Sequence, residues 1–126
     1  MPRMLVVDDS PVMLHLIARI VKSSEMGFDC VFAASGKEAL TVLRSAPVDV
    51  MLTDIHMPEM DGEQLVGIMR LDKALRDIPV IVVSSDATRP RVDRLVAAGV
   101  RGYLCKPFTL DAFRKELNRV LGEKRV

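Results

Sequence analysis

Met4-Leu5-Val6-Val7-Asp8-Asp9-Ser10-Pro11 is the stretch that decides how this chain is read. Four apolar residues in a row suit a strand covered on both faces. Two carboxylates end the run. Serine followed by proline then supplies a helix N-cap with proline at the first helical position. One short segment therefore spells strand, acidic turn, helix.

The same spelling recurs outward from there. Apolar runs stand at Cys30-Val31-Phe32-Ala33, Val48-Asp49-Val50-Met51-Leu52, Val80-Ile81-Val82-Val83 and Gly102-Tyr103-Leu104-Cys105. Segments of helical period lie between them. Met13, Leu16, Ile17, Ile20 and Val21 fit one apolar face, and so do Leu110, Phe113, Leu117, Val120 and Leu121. Ser35 and Thr109 stand where N-caps are needed, and Gly99 and Gly122 where helices should stop. Five β-α alternations imply an α/β fold, a parallel sheet with helices on both faces. Right-handed crossovers restrict its topology. In such sheets ligands bind at the carboxyl ends of the strands.

Length and composition agree with one domain. The chain has 126 residues, 49% of them apolar and 28% charged, with a net charge of +1. Charge is unevenly spread: residues 1–86 hold 8 Lys/Arg against 13 Asp/Glu, and residues 87–126 hold 10 against 4. An acidic first part and a basic last part suit a site in one and a docking face in the other, though an unevenly charged solvated surface looks the same. Cys30 and Cys105 sit in apolar runs, where a reduced thiol acts as a small hydrophobe, and their spacing fits neither a disulfide framework nor a metal site. The start turns acidic too soon for a signal peptide, and no apolar run reaches membrane-span length. The expected location is cytoplasmic.

The chemistry lies in what ends each run. The first ends in Asp8-Asp9, the third in Asp54, the fourth in Ser84-Ser85-Asp86 and the fifth in Lys106-Pro107. In a parallel sheet these side chains converge on one edge. Each has an ordinary structural reading: a helix cap for the Asp pair, a turn residue for Asp54, a satisfied hydroxyl for Ser84, a solvated ammonium for Lys106. Their joint placement at different strand ends favours chemistry. Crowded carboxylates repel unless a cation joins them. Oxygen ligands without a Cys or His cluster suit Mg²⁺, which phosphate oxygens commonly complete. A cation, an ammonium and a hydroxyl around a carboxylate suit phosphoryl transfer, with Asp as nucleophile.

These residues resemble the receiver-domain family of two-component response regulators (CheY-like). The segments that carry the likeness are Leu-Val-Val-Asp-Asp-Ser at 5–10, Asp-Ile-His-Met-Pro-Glu-Met-Asp-Gly at 54–62, Ile-Pro-Val-Ile-Val-Val-Ser-Ser at 78–85 and Ala-Gly-Val-Arg-Gly-Tyr-Leu-Cys-Lys-Pro-Phe at 98–108. The resemblance implies a (βα)5 doubly wound fold with strand order 2-1-3-4-5, as in flavodoxin and CheY. It implies one receiver domain over residues 1–126 with no output domain. It assigns Asp54 as phosphoacceptor. Mg²⁺ would be held by Asp9, Asp54 and the backbone carbonyl of His56, with Asp8 acting through a water. Lys106 and Ser84 would contact the phosphoryl group, and Ser84, Tyr103 and Pro107 would form the switch, with a cis bond before Pro107. By the same resemblance His56 and Asp86 would flank the site and tune phosphate lifetime; a ring-nitrogen metal role for His56 is disfavoured without a second His nearby.

The partner implied is a histidine kinase or phosphotransfer protein. The signal would leave through the face formed by the fourth helix, fifth strand and fifth helix, where Arg89, Arg91, Arg94, Arg101, Arg114, Lys115 and Arg119 cluster. That face suits an acidic output segment, or a homodimer pairing these with Asp93, Asp111 and Glu116. Nucleic acid is disfavoured, because no aromatics interleave the basic residues. Such a chain is no turnover enzyme: it catalyses its own phosphorylation and dephosphorylation. Three rivals remain. An aspartyl phosphatase of the haloacid-dehalogenase type wants a second Asp where His56 stands. A flavin module wants a phosphate-cradling loop where Asp8 and Asp9 stand. A scaffold receiver that is not phosphorylated would not need the full set of site residues.

Overall fold

Alternating strands and helices build the chain as β1 Arg3–Val7, α1 Pro11–Ser24, β2 Asp29–Ala33, α2 Gly36–Ser45, β3 Val50–Thr53, α3 Gly62–Arg70, β4 Val80–Ser84, α4 Arg89–Ala97, β5 Gly102–Cys105 and α5 Leu110–Arg125. The computed structural model describes residues 2–85 and 89–125, with 89–91 and 123–125 as backbone only. The strands form one parallel sheet in the order β2-β1-β3-β4-β5. This is the order the resemblance implied.

The continuous apolar runs have a simple cause: alternate residues of each strand serve different faces. Leu5, Val7, Met51, Val80 and Val82 point to one side and meet Leu40 of α2, Leu65 and Met69 of α3 and Leu95 of α4. Met4, Val6, Val50, Leu52, Ile81 and Val83 point to the other and meet Ile17 and Val21 of α1 with Phe113, Leu117 and Val120 of α5. Burying each such side chain is worth about 1.5–3 kcal/mol.

The expected caps form. Ser10 Oγ accepts from Met13 N, Ser35 Oγ from Glu38 N, and Thr109 Oγ1 from Ala112 N. Gly99 ends α4 at φ +98°, a conformation that favours glycine. α3 carries a capping box: Asp61 Oδ1 accepts from Gln64 N at 2.8 Å, and Gln64 Oε1 accepts from Asp61 N at 3.0 Å.

Some expectations need correction. Gly122 does not stop α5, which continues to Arg125; a glycine ends a helix only where its φ turns positive, and Gly122 is not among the residues that do so. β3 begins at Val50 rather than Val48; just before it, the Asp49 carboxylate takes the Arg3 backbone N–H at 2.7 Å, and the Asp49 N–H donates to the Arg3 carbonyl at 2.9 Å. Leu16 lies at the rim of the α1 apolar face, 44% exposed. Cys105 is exposed rather than packed, while Cys30 is half-buried, where burial and then Asp29 push its thiol pKa up. Arg114 does not face outward: its guanidinium donates to the Ser24 carbonyl at 3.2 and 3.3 Å and so caps the C-terminus of α1 from α5.

β5 is an edge strand, and α5 closes part of its edge. Glu116 Oε2 accepts from Tyr103 N at 2.7 Å, and Arg119 donates to the Arg101 carbonyl at 2.7 Å and to both Glu116 oxygens. A carboxylate and a guanidinium thus stand where a neighbouring strand's acceptor and donor would be. Burial alone would raise the Glu116 pKa; bonds from Arg119 and the Tyr103 amide outweigh it and hold the carboxyl below its ordinary value of 4.5. A depressed folded pKa gives stability that is present above the unfolded value and lost as pH falls through the folded one. Glu116→Ala should cost on the order of 1 kcal/mol at pH 7. The gap in urea midpoint between native and variant should shrink below about pH 4.5; a gap that stays constant would refute the charge-dependent account.

Candidate functional site

The carboxyl ends of β1, β3, β4 and β5 meet at one edge, and each brings a polar residue that the sequence placed there. Asp8 follows β1 and is 1% exposed. Its amide donates to the Ala33 carbonyl at 3.1 Å, which fixes its backbone to the end of β2. Its Oδ1 accepts from Ser10 N at 2.9 Å, so this carboxylate also orders the turn into α1. Asp9 beside it is exposed. Asp54 follows β3, its amide donating to the Val7 carbonyl at 3.0 Å. Its Oδ1 accepts from Ile55 N at 2.8 Å.

Lys106 reaches across from the end of β5. Its backbone N–H donates to the Ser84 carbonyl at 2.9 Å, locking the end of β5 to that of β4. Its Nζ lies 3.0 Å from Asp8 Oδ2 and 3.3 Å from Asp54 Oδ2. The three side chains are 17%, 2% and 12% exposed, so water screens these pairs far less than surface ones. Burial would lower the Lys106 pKa, but the hydrogen bond to Asp8 and the charges of Asp54 and Asp8 win and raise it. The ammonium was expected beside Asp54; it bridges Asp54 and Asp8.

One carboxylate oxygen from each of Asp8, Asp9 and Asp54 lies within 4.8 Å of the others. The donor set is oxygen only, which fits a hard divalent cation such as Mg²⁺ and not Zn²⁺. Lys106 offsets one of the two charges of Asp8 and Asp54; Asp9 adds a further negative charge on the solvent side.

The remaining expected residues sit as follows. Ser84 is wholly buried at the end of β4. Tyr103 is half-buried and packs against the apolar cluster under α2, α3 and α4. Lys106–Pro107 is a cis peptide bond, as expected. His56 is exposed on the loop after β3, and Asp86 lies outside the described residues. On the basic face, Arg94 pairs with Glu63 at 2.8 Å and Arg119 with Glu116 at 3.0 Å. Some of the charge expected to meet a partner is therefore spent within the chain.

Sequence reading gave Gly62 no separate role. A Cβ there would lie 2.3 Å from the Asp54 carbonyl oxygen, and the Gly62 N–H donates to the Ile55 carbonyl at 2.8 Å. The glycine lets α3 begin directly against the backbone of Asp54. Its position just after the Asp61 cap was the available signal.

With this geometry in view, comparison with known proteins is direct. The family model for the response regulator receiver domain matches residues 4–118, and the chain belongs to that family. It is 38% identical over 122 residues to a chemotaxis protein CheY homolog of Campylobacter jejuni, covering 95% of this chain and 92% of that one. It is 33% identical over 119 residues to the chemotaxis protein CheY of Pseudomonas aeruginosa, covering 94% of each. Among solved structures, chemotaxis protein CheY4 of Vibrio cholerae superposes with a TM-score of 0.87 at 29% identity, over 95% of this chain and 98% of that one. The receiver domain of a sensor histidine kinase from Pseudomonas aeruginosa, solved with magnesium coordinated in its active site cleft, gives 0.85 at 26% identity, over 96% and 98%.

Gly62→Ala must push Asp54 or α3 aside. We expect a loss of about 1–3 kcal/mol in urea unfolding, typical of overpacking. Unchanged stability would mean that the α3 start yields freely.

Proposed function

We propose that this receiver domain is a phosphorylation-dependent switch of a two-component system, accepting a phosphoryl group on Asp54. One observation carries the reading: the Lys106 ammonium is bound at 3.0 and 3.3 Å by two carboxylates at the ends of different strands, with a third carboxylate in the same cluster. Purely structural ion pairs do not need that excess of negative charge at the sheet's ligand-binding edge.

In this reading Asp54 Oδ2 is the nucleophile. It forms a bond to phosphorus as the bond to the donor breaks, and the donor is the imidazole of a histidine kinase or phosphotransfer protein, or a small acyl phosphate. Lys106 then exchanges one carboxylate partner for a phosphoryl oxygen and offsets its charge. The Ser84 hydroxyl contacts a second phosphoryl oxygen. Asp9, Asp54 and the His56 carbonyl would hold Mg²⁺, with Asp8 acting through a water. When bound, the ion offsets charge on the transferred group. The magnesium in the active site cleft of the receiver neighbour from Pseudomonas aeruginosa supports the choice of metal.

Phosphorylation adds roughly −1.5 to −2 charge at Asp54. Ser84 moves toward it, Tyr103 follows into the space vacated, and the α4-β5-α5 surface changes shape toward an output protein or a second copy. The domain operates in the cytoplasm in this reading. Among the described residues no helix is long and apolar enough to cross a membrane.

The test is intact mass after acetyl phosphate and Mg²⁺. One phosphate should add, and it should vanish in Asp54→Asn and on chelation of Mg²⁺. Continuous turnover of a generic phosphate ester would favour the phosphatase reading instead. Tyr103→Ala should label at the native rate while losing the phosphorylation-induced change in amide exchange over β5 and α5. Loss of labelling in that variant would contradict the division between acceptor and switch.

A further inference from the structure

Just below the acidic pocket, one row of residues crosses the sheet in register: Ala33, Val7, Thr53, Val82 and Tyr103. Ala33, Val7 and Val82 belong to the apolar cluster beneath α2, α3 and α4, and Tyr103 packs against it. Thr53 stands at the centre of this row and is wholly buried. Valine has the same shape, suits a strand equally well and brings no hydroxyl to desolvate. Packing therefore does not account for the hydroxyl.

Its hydrogen bond does. Thr53 Oγ1 donates to the Asp54 carbonyl oxygen at 3.0 Å. That carbonyl shares a rigid peptide plane with the Ile55 N–H. The Ile55 N–H in turn donates to Asp54 Oδ1 at 2.8 Å. The hydroxyl thus grips one end of a plane whose other end grips the carboxylate. The Asp54 N–H is already held by Val7, and Gly62 crowds the same carbonyl from α3.

We propose that Thr53 is a positioning residue for the Asp54 carboxylate, acting through the Asp54–Ile55 peptide. The proposal rests on Asp54 being the phosphoacceptor. Without the hydroxyl the plane loses one of its anchors and tilts, and the carboxylate shifts with it relative to Lys106. Misplacing a reacting group by about 1 Å costs on the order of 100-fold in rate, so a fraction of that displacement is readily measured.

The experiment compares Thr53→Val and Thr53→Ser with the native chain. Folding is followed by urea unfolding, and labelling by acetyl phosphate in saturating Mg²⁺. Thr53→Val should fold with a midpoint at or above native. Its maximal labelling rate should fall about tenfold, with the half-saturating acetyl phosphate concentration unchanged. Thr53→Ser, which keeps the hydroxyl and loses the methyl, should label within about twofold of native. Independently of labelling, the Ile55 amide proton resonance should shift in Thr53→Val and stay in Thr53→Ser. Native labelling by Thr53→Val, or equal slowing in Thr53→Ser, overturns the proposal. A native chain that takes no phosphate, or one that still takes it as Asp54→Asn, overturns the phosphoacceptor reading itself.

Discussion

Three carboxylates and one ammonium share a small volume at the end of the sheet, and much of the site's geometry follows from their balance. Lys106 sits 3.0 Å from Asp8 and 3.3 Å from Asp54. Bringing Asp8 and Asp54 out of water costs energy that the ammonium returns. The ammonium comes from the end of β5, where the Lys106 N–H is hydrogen-bonded to the Ser84 carbonyl. Asp8 and Asp54 already outnumber the one ammonium, and Asp9 deepens the negative excess. A cluster with that excess could hold a divalent ion.

The sheet makes this balance rigid. β1 and β3 lie side by side in the sheet, so Asp8 and Asp54 project from neighbouring strands whose residues, apart from Arg3, are buried. Apolar clusters on both faces leave little freedom for the strand ends to drift. Around them, backbone bonds hold the carboxylates individually: Ser10 N–H on Asp8 and Ile55 N–H on Asp54. The loop from Asp54 to Gly62 is drawn tight by the start of α3. Asp54 is also tied through Lys106 to the joined ends of β4 and β5.

The outer face is less available than its composition suggests. Arg94 answers Glu63, Arg114 caps α1, and Arg119 with Glu116 closes the edge of β5. These contacts spend basic charge on tying α4 and α5 to the rest of the chain. Arg101 and Lys115 remain exposed on that side. The general basic field that the composition suggests is reduced on that side by the contacts of Arg94, Arg114 and Arg119.

The sequence alone determined the alternation of strands and helices, the caps at Ser10, Ser35 and Thr109, and which polar residues end the strands. Those features are local: periodicity, capping and turn chemistry act within a few residues and leave a readable pattern. The family motif carried the strand order and the cis bond. What only the tertiary structure decided is everything that depends on distance across the chain. Lys106 bridging Asp8 and Asp54, Gly62 against the Asp54 carbonyl and Glu116 on the edge of β5 join residues that no sequence period connects. Even Thr53, adjacent to Asp54, read as one more strand residue until its burial and the direction of its hydroxyl were known. Side-chain chemistry is written in the sequence; which partner each group meets is set by the packing of the sheet.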